Sequence, residues 1–258
     1  MATWVIQNCK DRQTDKMVAA LKATKEPYVM QNMSGFIFDT LSDLGTEVIP
    51  YGSTSLLEYA KRQRWRHVFH NDNFNVDVYN KYHRTLNYGS LTMTLSDAKR
   101  VLCSPHSSIR GPWFIRPVDD TKAFAGHVIT QVELRDWVTI LEDNDCEVTP
   151  NTVVSLSCEK DIDMEWRYFI VGGKIISGSA YRFKGASYTE RETEQDVIEE
   201  AQAIADLWLP HPCCVMDLAL WEGKPCVVEF NGLNSSGFYD HDVTAIVRAV
   251  SEYVKESQ

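Results

Sequence analysis

Apolar and polar residues follow two different rhythms along this chain, with the change near residue 105. In the first part, short apolar runs alternate with stretches of helical spacing. Trp4–Gln7 predicts a strand, and Met17, Ala20 and Leu21, at i, i+3 and i+4, predict the inner face of a following helix. Thr46–Ile49 predicts a second strand, ending at Pro50-Tyr51-Gly52. Ser53 or Ser55 then stands where a helix cap belongs, ahead of Leu56, Leu57, Tyr59 and Ala60. Alternation of this kind predicts a small α/β layer with parallel strands. Residues 71–96 have weak periodicity and predict no regular element. From Pro112 onward the texture changes. Trp113–Val118 and Thr152–Leu156 predict strands, and Val132–Leu141 a helix between them. Gly172-Gly173 and Glu222-Gly223 mark two β-hairpins. A helix is predicted over Thr193–Leu207, with Ile198, Ala201, Ile204, Ala205 and Trp208 on its apolar stripe. A last helix carries Val243, Ile246, Val247, Val250 and Val254. Cys103–Gly111 holds Ser, Pro and Gly between two patterned regions and is the predicted boundary, dividing the chain into 1–104 and 105–258.

Composition narrows the class. With 258 residues, 44% apolar and 24% charged, the chain has the make-up of a soluble globular protein with room for one large domain or two modest ones. No run of eighteen apolar residues exists, so no segment is expected to span a membrane. Met1-Ala2-Thr3-Trp4 has no basic residue ahead of its short apolar stretch, so that stretch reads as a strand rather than a signal peptide. The expectation is a cytoplasmic protein. Seven cysteines, at 9, 103, 146, 158, 213, 214 and 226, form no Cys-x-x-Cys and read as free, mostly buried thiols of a reducing compartment. The net charge of −10 is unevenly spread: residues 1–104 carry 13 Lys/Arg against 10 Asp/Glu, while 105–258 carry 13 against 26. An acidic second part argues against a broad nucleic-acid footprint and suits a site for divalent cations. The cluster Lys61–Arg66 reads as a solvated helix face, and His67-x-x-His70 lacks a third ligand for zinc. Ser53-Thr54-Ser55 reads as a helix cap, although a strand-to-helix turn could also meet a phosphate or substrate.

Chemistry concentrates in the two hairpins. In Val215-Met216-Asp217-Leu218-Ala219-Leu220 and Lys224-Pro225-Cys226-Val227-Val228-Glu229-Phe230-Asn231, Glu229 and Asn231 are two apart and share a strand face. A three-residue loop with Gly223 last would pair Leu220 with Lys224 and Asp217 with Val227. Asp217 would then be diagonal to Glu229 on that same face, whereas a two-residue loop would turn it away. Two carboxylates and an amide oxygen make a hard-oxygen site of the kind magnesium uses beside phosphates. In the other hairpin, Glu165-Trp166-Arg167-Tyr168-Phe169-Ile170-Val171 precedes Gly172-Gly173, and Lys174-Ile175-Ile176-Ser177-Gly178-Ser179-Ala180-Tyr181-Arg182 follows. A two-residue turn pairs Val171 with Lys174 and Arg167 with Gly178. That puts Arg167 and Arg182 on one face, with Lys184 next if the strand continues. Guanidiniums so aimed suit an anionic ligand, unless Arg167 simply pairs with Glu165. Trp113-Phe114-Ile115-Arg116-Pro117, with Lys122 in the polar loop beyond, offers two further cations but is not a P-loop.

In this order the three segments resemble the ATP-grasp superfamily over about residues 112–240, and within it the phage and bacterial amidoligase-like clade with Arg in place of the usual first nucleotide-binding Lys. The resemblance implies an α+β ATP-grasp fold, two α+β lobes gripping ATP, preceded by the small α/β domain of residues 1–104. It implies Arg116, Lys122 and Lys184 at the nucleotide, and a hinge near 155–158 in which Ser155, Leu156 and Ser157 border the adenine. Asp217, Glu229 and Asn231 would hold Mg²⁺, and Arg167 and Arg182 would meet the γ-phosphate and an acyl-phosphate. The implied activity is ATP-dependent joining of a small-molecule or peptide carboxylate to an amine. Two other readings remain at this point: a non-catalytic ATP-binding module docking on a partner, and an ATP-dependent enzyme acting on nucleic acid, for which the Lys-x-Asp-Gly of a lysyl-nucleotide mechanism is missing.

Overall fold

The computed structural model describes residues 2–34, 37–38, 44–82, 84–118, 123–144, 147–192 and 194–257. The chain runs β1 (Thr3–Gln7), α1 (Arg12–Thr24), β2 (Tyr28–Gln31), β3 (Met33–Ser34), β4 (Ile37–Phe38), β5 (Val48–Tyr51) and α2 (Thr54–Arg62). It continues through α3 (Val76–Tyr79), β6 (Leu91–Thr94), α4 (Leu95–Leu102), β7 (Trp113–Pro117), β8 (His127–Ile129), α5 (Gln131–Glu142) and β9 (Val153–Cys158). β10 (Met164–Val171), β11 (Lys174–Phe183), β12 (Ala186–Glu192), α6 (Gln195–Leu207), β13 (Cys214–Trp221), β14 (Lys224–Asn231) and α7 (Val243–Glu256) complete it. Among the described residues no helix is long and apolar enough to cross a membrane.

Contacts divide the chain into two compact units, 1–74 with 162–258 and 75–161. The expected boundary at 104/105 therefore falls inside the second unit, and the expected hinge at 155–158 lies within β9, just ahead of the division. The physical reason lies in the pairings. β6 joins β9 in one sheet, which draws residues 91–102 into the second unit, while both ends of the chain bury their apolar residues together in the first.

In the first unit β1 is the centre of a parallel sheet, ordered β2-β1-β5, as the strand–helix alternation predicts. Pro50 sits in β5, an edge strand, where a missing N–H is tolerated. Trp4 and Ile6 point to one face of β1 and pack with Met17 and Leu21 of α1, and Val5 points to the other, against Leu56 and Ala60 of α2. α7 presents Val243, Ile246, Val247, Val250 and Val254 to the same core as Trp4, where they meet Phe169, Val171 and Val215 of the antiparallel sheet β12-β11-β10-β13-β14. Each such buried aliphatic contributes about 1.5 kcal/mol or more. The Trp4 indole N–H donates to Ser251 Oγ at 3.2 Å, a direct tie between β1 and α7. Ser53 takes the N-cap position of α2, but its hydroxyl makes no capping bond; its backbone N–H donates to Gln7 Oε1 at 2.7 Å.

The second unit is a four-stranded sheet ordered β6-β9-β7-β8, with α4 and α5 against one face. Trp113, Ile115, Val154 and Leu156 point into that core with Leu95, Leu102, Leu134 and Val138. Thr130 and Glu133 form the reciprocal capping box that starts α5. β6 and α4 lie in or beside the stretch where periodicity is weak; β6 is an edge strand whose Leu91 and Thr92 face solvent, so it carries no apolar alternation.

One side chain in the loop after β14 ties the first unit together. Asn234 Oδ1 accepts from Phe69 N–H at 2.7 Å, and its Nδ2 donates to Pro50 O at 2.8 Å and His67 O at 3.0 Å. Asn234 is 1% exposed, so Asn234→Ala leaves three backbone groups without partners. At about 1–3 kcal/mol for a buried group so stranded, urea unfolding should show a loss of about 3 kcal/mol with an unchanged m-value.

Candidate active site

The five-stranded sheet carries one polar row straight across its strands. Arg191 pairs with Ser179, Ser179 with Arg167, Arg167 with Asp217 and Asp217 with Glu229. Directly paired residues share a sheet face, so Arg167, Asp217 and Glu229 stand side by side on three neighbouring strands. Asn231, two positions beyond Glu229, joins them.

The β13–β14 register differs from the one the sequence suggests. The turn is the two residues Glu222-Gly223, both in the left-handed region at φ 52° and 67°, and the pairing runs from Trp221–Lys224 to Leu218–Val227. Continued unbroken, it would set Asp217 opposite Val228, facing away from Glu229. A β-bulge at Val228 intervenes, and Asp217 pairs with Glu229 instead. The second hairpin has the expected Gly172-Gly173 turn with Val171 opposite Lys174, then two irregularities, at Ile176 and Tyr181. Arg167 consequently faces Ser179 rather than Gly178, and Arg182 faces Glu165. Lys184 does not extend the strand: β11 ends at Phe183, and Lys184 turns the chain at φ 46°, its ammonium 5.5 Å from the Phe183 ring.

Within the row, Arg167 donates to both oxygens of Asp217, Nε to Oδ1 at 2.8 Å and Nη2 to Oδ2 at 2.7 Å. The side chains are 13% and 3% exposed. Asn231 Nδ2 bridges the two carboxylates, 3.3 Å from Asp217 Oδ2 and 3.1 Å from Glu229 Oε1. The guanidinium also lies over the rings of Tyr239 and Tyr181, 5.2 and 5.9 Å from their centres, and these rings stack on each other at 4.9 Å. Glu165 next to it accepts from the Tyr181 hydroxyl at 2.8 Å and from Arg182 Nη1 at 3.2 Å. Burial pushes the Asp217 carboxyl upward while the charge of Arg167 pulls it down. Burial works against the Arg167 charge as well, but Asp217 outweighs it and holds the guanidinium protonated.

Glu165, the alternative partner for Arg167, pairs with Arg182 instead, while Tyr181, Tyr239 and His241 are parts of this site that the hairpin patterns do not single out. Tyr181 lies at a bulge, beside the arginine that the pattern does mark. Tyr239 and His241 come from the loop after β14, where no periodicity operates. That loop is pinned from several sides: Lys16 donates to the carbonyls of Phe238 and Tyr239, Gln13 accepts from Phe238 N–H at 2.8 Å, and Arg191 donates to Asp240 O at 3.1 Å. His241 is 4% exposed, shares a hydrogen bond with Ser177 Oγ at 3.0 Å, and is held neutral by burial and by the charges of Arg167, Lys16 and Arg191, its pKa pushed down to about 3.

The other described residues expected at the nucleotide, Lys184 apart, lie on β7 and β9. Arg116 lies on β7 in the second unit, half-buried and opposite Ser155, its Nε donating to Pro117 O at 3.3 Å. Ser155 and Ser157 are inner ties of that unit, bonded to Ser90 Oγ at 2.7 Å and Asn87 Oδ1 at 2.8 Å, and Leu156 points into the opposite, helix-covered face. β9 is paired with β7 along its length and with β6 from Val153 to Leu156, so Ser157 lies just past the end of the β6 pairing. Lys122 and the Asp119–Thr121 stretch before it lie outside the described residues.

Among the described residues no group of three or more His, Cys, Asp and Glu is placed to hold a metal ion. Asp217, Glu229 and Asn231 fit a hard cation in another way, because the third donor is an amide. Rotating the Asn231 amide by half a turn replaces Nδ2 with Oδ1 at a point already within 3.3 Å of both carboxylates.

The buried pair makes an energetic prediction. Asp217→Ala strands the Arg167 charge and should cost about 3–5 kcal/mol, whereas Asp217→Ala combined with Arg167→Met removes both charges and should recover most of it. Urea unfolding of the two single variants and the double variant measures the coupling.

A family model for an ATP-grasp domain, the second family of its clade, matches residues 91–249. Among solved structures, the chain resembles D-cycloserine synthetase DcsG (TM-score 0.64, 11% identity, 98% of this chain and 100% of that one). It also resembles a D-alanine–D-alanine ligase from Bacillus anthracis complexed with ATP (0.62, 12%, 100% of both chains). The ATP-grasp ligase PsnB, complexed with a minimal precursor, aligns at TM-score 0.57 and 13% identity over 98% of each chain. No protein of curated function matches the sequence. The match over most of the chain, on the hairpins that carry the polar row, establishes that this protein belongs to the ATP-grasp family.

Proposed function

We propose that this chain is an ATP-dependent carboxylate–amine ligase that works through an acyl-phosphate with Mg²⁺ and acts on a small-molecule or peptide carboxylate. The observation that carries the reading is the convergence of Asp217, Glu229 and Asn231 beside two arginine–carboxylate pairs, within a chain of ATP-grasp family. Support comes also from structures of like fold, one a D-alanine–D-alanine ligase complexed with ATP and another a ligase complexed with a minimal precursor.

In the proposed reaction a carboxylate oxygen of the substrate attacks the γ-phosphorus and ADP leaves. The amine then attacks the acyl carbon, and phosphate departs with the former carboxylate oxygen. Asp217, Glu229 and Asn231 hold the cation, with the Asn231 amide turned so that its oxygen faces inward. Mg²⁺, when bound, would draw off charge developing on the phosphoryl oxygens. Arg182 is the arginine suited to the transferring group: half-exposed, joined to Glu165 by one bond at 3.2 Å, it can leave that partner for phosphoryl oxygens. Arg116 and Lys122 are assigned to the ATP phosphates. The chain's contribution is positioning and fixed charge, and no covalent nucleophile is required.

Amino acids and short peptides labelled with ¹⁸O in the carboxylate, incubated with ATP, Mg²⁺ and an amine, test the reading. ADP should form, and label should appear in the released phosphate. Formation of AMP and pyrophosphate would mean adenylation and would overturn the proposal. With a substrate in hand, Arg182→Lys keeps the charge and loses the planar fork. It should lower kcat about a hundredfold or more, the usual effect of removing one positioned donor, with ATP affinity little changed.

A further inference from the structure

We infer that Arg167 guards the cation site, so that the carboxylates accept a divalent ion only together with a polyphosphate. The inference rests on the assignment of Asp217, Glu229 and Asn231 as cation ligands and gives Arg167 a role other than contact with the transferring phosphoryl group.

Three observations carry it. Both oxygens of Asp217 are already taken, Oδ1 by Arg167 Nε, and Oδ2 by Arg167 Nη2 and Asn231 Nδ2. The Asn231 amide turns its NH₂ toward Asp217 and Glu229, the orientation that suits two carboxylates with no cation between them. The guanidinium, finally, is held in place. Two parallel hydrogen bonds fix its plane, the rings of Tyr181 and Tyr239 lie against it, and β10 pairs with strands on both sides. An arginine so restrained does not swing away when a second cation arrives.

A bare divalent ion entering this site meets a fixed positive charge on the far side of Asp217. It must also compete for oxygens that already have donors. Two charges on the ion and one on Arg167, a few ångströms apart, repel enough to weaken binding roughly tenfold even at the dielectric constant of water. A nucleotide changes the balance, because its phosphates bring negative charge that offsets both cations. The coupling is reciprocal: whatever the nucleotide adds to cation affinity, the cation adds to nucleotide affinity. Arg167 is thus a positioning residue that sets the order of loading.

Binding of Mn²⁺, followed by equilibrium dialysis as the excess metal on the protein side, tests this on the 258-residue chain, with and without the non-hydrolysable ATP analogue AMP-PNP on both sides of the membrane. Wild type should take up Mn²⁺ weakly alone and tightly with AMP-PNP. Arg167→Met removes the charge at similar size. Arg167→Gln also removes it but can still donate one hydrogen bond to Asp217, which keeps a folded variant in hand. Either variant, shown folded by circular dichroism, should bind Mn²⁺ alone roughly tenfold tighter than wild type. The ratio between the two conditions should shrink correspondingly. A purely structural role for Arg167 predicts weaker binding or none. Mn²⁺ affinity in the folded variants equal to or below that of wild type overturns the inference. If wild type binds no Mn²⁺ even with AMP-PNP, it is the ligand assignment itself that fails.

Discussion

Asp217 has 2% of its surface exposed, and a carboxylate so placed remains charged only where a partner replaces the water it has lost. Arg167 is that partner, and much of the surrounding architecture follows from keeping the two together. The pairing needs β10 and β13 adjacent with Arg167 and Asp217 directly opposite, which fixes the register of the central strands. It needs a second tier of support for the guanidinium, which Tyr181 and Tyr239 supply with their ring faces. It also places Glu229 within reach of the same amide that touches Asp217, so that structural pair and candidate cation site are one assembly.

Tyr239 belongs to a loop, and a loop holds an aromatic ring in place only if its own backbone is fixed. Here the fixing comes from distant parts of the chain. Lys16 and Gln13 reach it from α1, Arg191 from β12, and Ser177 and Ser179 from β11, where their hydroxyls accept from the N–H groups of Asp242 and Asp240. Asn234 performs the same task a few residues earlier, toward Pro50, His67 and Phe69. The parallel sheet at the start of the chain is therefore part of the support of the site, which is why residues 1–74 and 162–258 form a single unit.

Most of the elements were legible from apolar spacing, because the helices and central strands each bury one face. α1, α5, α6 and α7 lie where their stripes put them, and β1, β7, β10 and β13 where their short runs do. The family, too, was legible, from the two hairpins. Other features were hidden for identifiable reasons. β6 and β12 are edge strands with exposed side chains and so show no alternation. The division into units depends on which distant strands pair, and composition near residue 105 carries no information about that. That β9 lies between β6 and β7 is a fact of sheet order that local pattern does not contain. Tyr239 and His241 are brought in by tertiary bonds alone.

Spacing along a hairpin obeys a parity rule. Two residues on facing strands share a side when the extra residues between their pairs, counted through turn and bulge together, have the right parity. A turn of two with one extra residue at Val228 has the same parity as a turn of three without a bulge, which is why different registers bring Asp217 to the same face. The odd residue can therefore sit at either place without dismantling the site. Loss of Val228 alone would leave a regular hairpin with Asp217 still opposite Glu229, whereas one residue inserted between Lys224 and Val227 would add a step to that strand and set Asp217 opposite Val228. In this fold the arrangement of chemistry tolerates loss of the bulged residue better than an unmatched residue gained in either strand.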